Sequence, residues 1–553
     1  PSRYSPFNHP DEARRRQVYA ISRLLENGYI SKEQAETAKA EKLQFRERPN
    51  VTLSQAPYFA EHVRRYLEDK FGEERLYSDG FRVRTTVNIE QQIAAENAVE
   101  KGLLEFAKRR EYRGPSKKLS PDQVEAFLKK QENELLDEPL LKGRVIDAVV
   151  SAVDVKTGAV KVHVGRSQGT INKKETNWVL TRGQPIQKIL APGDVVYVQA
   201  LDHGQEAGTW LFSLEQHPLV QGALMSLDLR DGAVKSMVGG RDFKESQFNR
   251  TTQSRGHPGS ALRPIIYTAA MDNGYTPGSI ISDEPVVYDD LGSRQKWKPT
   301  NFDHKFYGPT DLYTGLVQSR NVMAVKLLHR VGFKAVIETA RNLGITSPMP
   351  ESLAMALGAN GVSLAEMVTA FSTFPNMGER VEPMFITRIE DRDGQLVEEF
   401  RPRRIKAISS GTACVLTYML LGVVNQGTGT RVRTVGRPCG GKTGTTNDLA
   451  DAWFIGFTPE YVTGVWVGLD EMKPMGVGES GGKAAAPIFA YYMEAVLKGK
   501  PVRDFPVPPD ATLVNNGSAS ICYKAGTVGT GLSEAPPAGG DDFLKSDFDD
   551  KEL

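Results

Sequence analysis

Three short patterns in this 553-residue chain carry groups suited to nucleophilic chemistry. "HPGSALRP" puts Ser260 where a helix should begin, with the basic Arg263 three positions on and so on the same face. "SRN" puts Ser319 and Asn321 at the head of the amphipathic run "NVMAVKLLHRVG". "GRPCGGKTGTTND", residues 436–448, contains Lys442-Thr443-Gly444. A serine followed three residues later by a basic group, a Ser-x-Asn and a Lys-Thr-Gly are the parts of serine acyl-transfer machinery. Each is weak alone. A serine or asparagine at a helix start serves equally as a cap. Gly436, Gly441, Lys442 and Thr443 also satisfy the phosphate-loop spacing G-x-x-x-x-G-K-[ST]. A phosphate loop, however, needs a helix opening at its Lys-Thr. Residues 443–448 are poor in helix formers, and the next apolar run, "AWFIGF", reads as a strand. Order favours acyl transfer: Ser319 follows Ser260 by 59 residues, and Lys442 follows Asn321 by 121.

These groups need a scaffold, and the patterning supplies one. Residues 216–505 alternate helical periods ("RPIIYTAAMDNG", "NVMAVKLLHRVG", "GTACVLTYMLLGVVNQG") with strand-like runs ("PVVYDD", "AWFIGFTP", "YVTGVWVGL"). They open on a hairpin about Arg230-Asp231-Gly232, which predicts one α+β domain. Within 109–215 a charged insertion, with an exposed helix over "SPDQVEAFLKKQENELL", precedes short strands joined by turns such as Lys156-Thr157-Gly158, the pattern of a small barrel. Aromatic residues are sparse on these strands, which argues against single-stranded nucleic acid. Residues 46–108 read as a linker with a strand over "FRVRTTVNI", and 1–45 as helices, the first ended by Gly28. Residues 506–553 read as a tail; from 541 on it holds six acids and two lysines, and it is expected to be mobile. A net charge of +1 gives no pull toward nucleic acid or an acidic membrane surface. Three distant cysteines (414, 439, 522) and eight scattered histidines predict no disulfide framework and no metal site. No apolar run reaches 18 residues, and position 1 is not Met, so the chain reads as the end of a domain whose start, with any membrane anchor, lies upstream.

With these motifs in order, the chain resembles the class A (bifunctional) penicillin-binding proteins of the Gram-negative 1a type. "GFRVRTTVNIEQQ", "SQFNRTTQSRGHPGSALRP", "WKPTNFD", "NQGTGT" and "GGKTGTTNDLADAWFIGFTP" carry the likeness. The resemblance implies an α+β multidomain fold: a penicillin-binding/β-lactamase-like transpeptidase domain, an OB-like β-barrel insertion and a linker region. It implies a D,D-transpeptidase that crosslinks peptidoglycan stem peptides ending in D-Ala-D-Ala, is acylated by β-lactams and uses no cofactor, no metal and no nucleotide. Ser260 would be the nucleophile, Ser319 a proton relay and Asn321 the holder of the substrate backbone. Lys442 would supply positive potential, and Thr443, Gly444 and Thr445 would form the carboxylate-binding strand. The backbone N–H groups of Ser260 and Thr445 would form the oxyanion hole. Regulatory proteins of the cell wall would dock on the OB-like module, and the chain would work at the periplasmic face of the inner membrane.

Two departures from the family pattern stand out. The family's catalytic lysine is here Arg263, whose guanidinium keeps its proton, so slow acylation or none is expected. Lys442 is then the best substitute base, reaching Ser260 through Ser319. A second Ser-x-x-Lys, "SRQK" at 293–296, is taken as coincidence. The glycosyltransferase glutamates would lie upstream of residue 1, so this stretch is not expected to polymerise lipid II. A catalytically silent scaffold on the same fold is the alternative, and a free-standing β-lactamase a third reading.

Overall fold

The computed structural model of the protein describes residues 10–41, 55–180, 184–204, 206, 208–289, 296–446, 448–517 and 519–530. Two compact units result, Pro1–Ser54 and Gln55–Leu553. In the first, helices Pro10–Glu26 and Lys32–Ala40 form a hairpin. Gly28 turns it with a φ of +75°, and Ser31 with Gln34 caps the second helix in a capping box.

The larger unit is organised by a five-stranded antiparallel sheet. Its order is Gly440–Thr445, Asp451–Phe457, Tyr461–Gly468, Gln221–Asp228 and Val234–Val238. Every residue of Asp451–Phe457 and of Tyr461–Gly468 is buried, as expected where helices cover both faces. Alternate side chains serve two cores. Trp453, Ile455 and Phe457 meet the helices Arg263–Asp272, Leu364–Ser372 and Ser410–Gln426. Ala452 and Phe454 meet the helices Ile89–Lys108 and Ala486–Leu497. The helix Ile89–Lys108, expected in a linker, thus packs directly on the sheet. The strand expected over "FRVRTTVNI" is Arg82–Thr85, and it pairs with Ile386–Glu390, some 300 positions away. Among the described residues of "PVVYDD", Tyr288–Asp289 is extended, in a short ribbon with Lys296–Trp297.

The barrel is present. Strands Asp194–His203, Val145–Val153, Val160–Val164, Ser167–Ile171 and Thr209–Glu215 form a ring, closed where the first pairs the last. The two aromatic residues of Thr209–Glu215, Trp210 and Phe212, are buried in its core. The helix Pro121–Asp137 lies on it through buried Gln131, which donates to the carbonyl of Asp147 at 2.7 Å, so this helix is not wholly solvated.

Two expectations are corrected. Residues 511–524 are not tail: Ala511–Asn516 and Ala519–Lys524 form a hairpin. It packs on Ser410–Gln426, and Cys522 is bonded to Cys414 on that helix. The separation of 108 positions hid the pairing from a spacing argument. Residues 531–553 lie outside the described residues, as do 293–295 of "SRQK". Among the described residues no helix is long and apolar enough to cross a membrane.

A bridge closing so long a loop removes much freedom from the unfolded chain. Reducing it is expected to cost the hairpin about 2–4 kcal/mol of local stability. Amide exchange across 511–524 should quicken in reductant, whereas that of the buried sheet strand 451–457 should not.

Candidate active site

Ser260 does not open the helix directly. It sits in a single 3₁₀ turn, Gly259–Leu262, and the helix proper begins at Arg263, with Pro264 in its first turn where a missing N–H is harmless. The loop before it is anchored on the sheet. The His257 N–H donates to buried Asp451 at 3.2 Å, and Asp451 also accepts from Trp466 Nε1 at 2.6 Å. Gly259 has a φ of +53° and lies flat on the backbone of Thr445, where a Cβ would come within 2.4 Å of the Thr445 carbonyl oxygen. Gly444 answers it: a Cβ there would stand 2.1 Å from the Pro258 carbonyl oxygen. These two contacts bring the serine turn against the strand that carries Lys442, Thr443 and Thr445.

Ser319 occupies the corner between helices Leu312–Val317 and Asn321–Val331. Its φ is +59°, a left-handed conformation that costs a non-glycine residue about 1–3 kcal/mol. Neither Ser319 nor Asn321 is a cap; the N-cap position is Arg320, with no side-chain capping bond. The corner instead aims Ser319 at two cations. Arg263 Nη1 donates to its carbonyl at 2.6 Å and to its hydroxyl at 2.9 Å. Lys442 Nζ reaches the same hydroxyl at 2.8 Å.

Arg263 and Lys442 are both buried to within 1% of completely. Arg263 also donates to Asn321 Oδ1 and, at 3.3 Å, to the Ala356 carbonyl. Beyond Ser319, Lys442 donates among the described residues to the Thr443 carbonyl, at 3.2 Å. Among the described residues neither cation has a carboxylate partner. Burial lowers the Arg263 guanidinium to about 10, which leaves it charged at neutral pH. Burial, and then the Arg263 charge, push the Lys442 amine well below the ordinary lysine range. A lysine in that position can give up its proton; the arginine beside it does not.

A cleft of about 510 Å³ lies over these groups. Ser260, Arg263, Ser319, Asn321, Thr443 and Thr445 all line it. Lys442 does not; it lies beneath, turned toward Ser319 rather than toward a bound carboxylate. Gly444 contributes the close approach rather than a lining surface. The Thr443 hydroxyl pairs with Thr428 at 2.6 Å, and the Thr445 hydroxyl accepts the Gly481 N–H at 3.0 Å. The Ser260 hydroxyl has no hydrogen-bond partner among the described residues, and its residue lines the cleft.

Several residues of the cleft escaped sequence reasoning. Asn301 accepts the Asn321 N–H at 2.8 Å and donates to both oxygens of buried Asp283 at 2.9 Å, which fixes the head of the Asn321 helix. Asp303 and Tyr307 hold Arg320 at the opposite wall, its guanidinium 3.4 Å from the Tyr307 ring centre. Ser480 and Gly482 close the far edge. Asn301 and Thr428 fall within "WKPTNFD" and "NQGTGT", which signal the family but give no role.

Residues 222–494 match the penicillin-binding protein transpeptidase domain, and 112–220 the penicillin-binding protein OB-like domain. Penicillin-binding protein 1A of Pseudomonas aeruginosa is 32% identical over 566 residues, covering 92% of this chain and 68% of the relative. Its namesake in Aquifex aeolicus is 34% identical over 515 residues, covering 93% of this chain and 67% of that one. The chain belongs to the penicillin-binding protein 1A family. The crystal structure of penicillin-binding protein 1A from Haemophilus influenzae shares the fold, with a TM-score of 0.78 at 28% identity over 95% of this chain and 84% of that one. By family, the chain is a penicillin-binding transpeptidase of peptidoglycan biosynthesis, built from a transpeptidase domain and an OB-like barrel.

Proposed function

We propose that the chain carries a serine D,D-transpeptidase site for stem peptides ending in D-Ala-D-Ala, open also to β-lactams, and that Arg263 keeps its acylation slow. One observation carries the reading: a fully buried Lys442, with no carboxylate beside it, bonded to Ser319 beneath the cleft that Ser260 lines. Ser260 Oγ attacks the carbonyl between the two D-alanines. Its proton passes to Ser319 Oγ as the Ser319 proton passes to Lys442 Nζ. The oxyanion forms between the N–H groups of Ser260 and Thr445. The C–N bond then breaks, the departing D-alanine amine takes the proton back, and an acceptor amine later resolves the acyl-enzyme. Thr443 and Thr445 hold the terminal carboxylate, Asn321 the peptide backbone, and the Arg263 guanidinium, which stays charged, makes the cleft attractive to an anion. In this reading residues 216–505 are the acyl-transfer domain at the periplasmic face of the inner membrane. Residues 109–215 are an accessory module that receives regulatory proteins.

The bonds of Arg263 favour a second reading, a site that binds without acylating, since its guanidinium occupies the Ser319 hydroxyl and Asn321 together. Fluorescent penicillin followed by intact mass separates the two. We expect one slow adduct on the native sequence, none on Ser260→Ala, and a rate that rises with pH. The sign follows from Lys442: its proton must leave before it can serve as base, and its lowered pKa brings that loss down from the ordinary lysine range. Complete labelling within a minute would refute the slow-acylation claim. No adduct at any pH would leave the silent binder.

A further inference from the structure

Beside the cleft, and outside the machinery above, lies a buried carboxylate with three cationic partners. Glu479 is 1% exposed. It accepts a two-pronged bond from Arg109, Nε at 3.0 Å and Nη2 at 2.8 Å. Arg110 stands at 3.1 Å and Lys483 at 3.3 Å. Such a fork fixes direction as well as distance. Both arginines follow the last turn of the helix Ile89–Lys108, just ahead of the OB-like domain that begins at 112. Glu479 is followed at once by Ser480, Gly481 and Gly482. Ser480 and Gly482 line the cleft, and the Gly481 N–H donates to Thr445 Oγ1. The stretch Gly481–Ala485 is a π turn, a wide and uncommon geometry that recurs at functional sites and must be held from outside.

We infer that Glu479 is a positioning residue. Clamped by Arg109, with the Arg110 charge beside it, it sets the Ser480–Gly482 edge of the cleft and, through the Gly481 N–H, turns the Thr445 hydroxyl so that its proton is free for the ligand. The clamp therefore ties the ligand-binding wall to the end of the helix from which the barrel is hung. The inference rests on the reading that places Thr445 against the ligand carboxylate. It adds that the wall is not self-supporting: its geometry is set by residues that never touch the ligand.

The test uses the full chain carrying Ser260→Ala, so that penicillin binds without acylating, and calorimetry to read its Kd. Arg109→Ala is expected to weaken penicillin about tenfold, the size of coupling usual between interacting positions. Arg109→Lys, which keeps the charge and loses the fork, should recover part of the loss. In a Thr445→Val background Arg109→Ala should cost clearly less than it does alone, because the part of its effect that runs through that hydroxyl is gone; a merely structural role would give additive losses. Glu479→Gln, equal in shape, should repeat the pattern if Arg109→Ala proves poorly folded by its melting profile. An unchanged Kd in folded Arg109→Ala, or a full loss retained beside Thr445→Val, overturns the inference. If Thr445→Val alone leaves Kd unchanged, the reading of the cleft falls and takes the inference with it; if Thr445→Val weakens penicillin and Arg109→Ala does not, only the inference falls.

Discussion

Arg263→Lys is expected to speed β-lactam acylation of Ser260 by about 10²–10⁴, the range a positioned general base contributes. Arg263 lines the cleft with its guanidinium 2.9 Å from the Ser319 hydroxyl, and it remains protonated because burial lowers it only to about 10. It donates hydrogen bonds there and accepts none. A lysine on the same turn would be desolvated in the same surroundings, and the neighbouring Lys442 would repel its charge. Both effects favour the neutral amine, which can take the serine's proton. The shorter side chain gives up the bonds to Asn321 and Ala356, so a small loss of melting temperature should accompany the gain in rate. Equal labelling of parent and variant by fluorescent penicillin would show that Arg263 is no impediment. That result would move the base entirely to Lys442.

Gly444→Ala should be nearly as damaging as Arg263→Lys is restorative. Its Cβ would stand 2.1 Å from the Pro258 carbonyl oxygen and 3.0 Å from Ala261 Cβ, contacts with backbone and with a side chain that has no rotamer to change. The serine turn and the strand Gly440–Thr445 would have to separate. That opens the distance between the two N–H groups proposed for the oxyanion and moves Ser260 away from Thr445. A displacement of about 1 Å in a reacting constellation is worth about 10²-fold in rate. Measured in the Arg263→Lys background, where acylation is fast enough to follow both ways, Gly444→Ala should lose about that factor. A rate within threefold of its parent would mean that the two elements are less tightly apposed than the contacts require.

How much of this could be read from the sequence depended on distance along the chain. The serine pair, the Lys-Thr-Gly and their order were legible because each motif is local and sits on an element with its own period. The largely apolar runs "AWFIGF" and "YVTGVWVG" were legible as strands, and the Arg230-Asp231-Gly232 hairpin as a turn. Their order in the sheet was not: strand 221–228 lies beside 461–468, and nothing in either run names its partner. The same holds for Arg82–Thr85 on Ile386–Glu390 and for Cys414 with Cys522. The serines at 260 and 319 were legible as chemistry or as caps, and only backbone geometry separates these: a 3₁₀ turn in one case, a left-handed corner in the other. Glu479 and Asn301 were invisible because a buried carboxylate or amide in a loop reads as solvated polarity until its partners, hundreds of positions off or across a turn, are in place.

The central sheet, buried on both faces, must solve a pairing problem that half-exposed sheets do not face. Sliding Asp451–Phe457 by one residue would exchange Trp453 and Ile455 for Phe454 between the two cores, trading apolar for apolar, so desolvation barely prefers one alignment. Absent side chains make the choice. Gly464, opposite Ile455, lies where a Cβ would meet Val368 at 2.5 Å and Leu364 at 2.7 Å. Gly456, opposite Gly441, lies where one would meet Phe489 at 3.0 Å. A slipped strand would drive a side chain into each of these notches. The alignment that sets Thr443 and Thr445 at the cleft is thus specified by places where nothing else fits, a form of information that no hydrophobic pattern records.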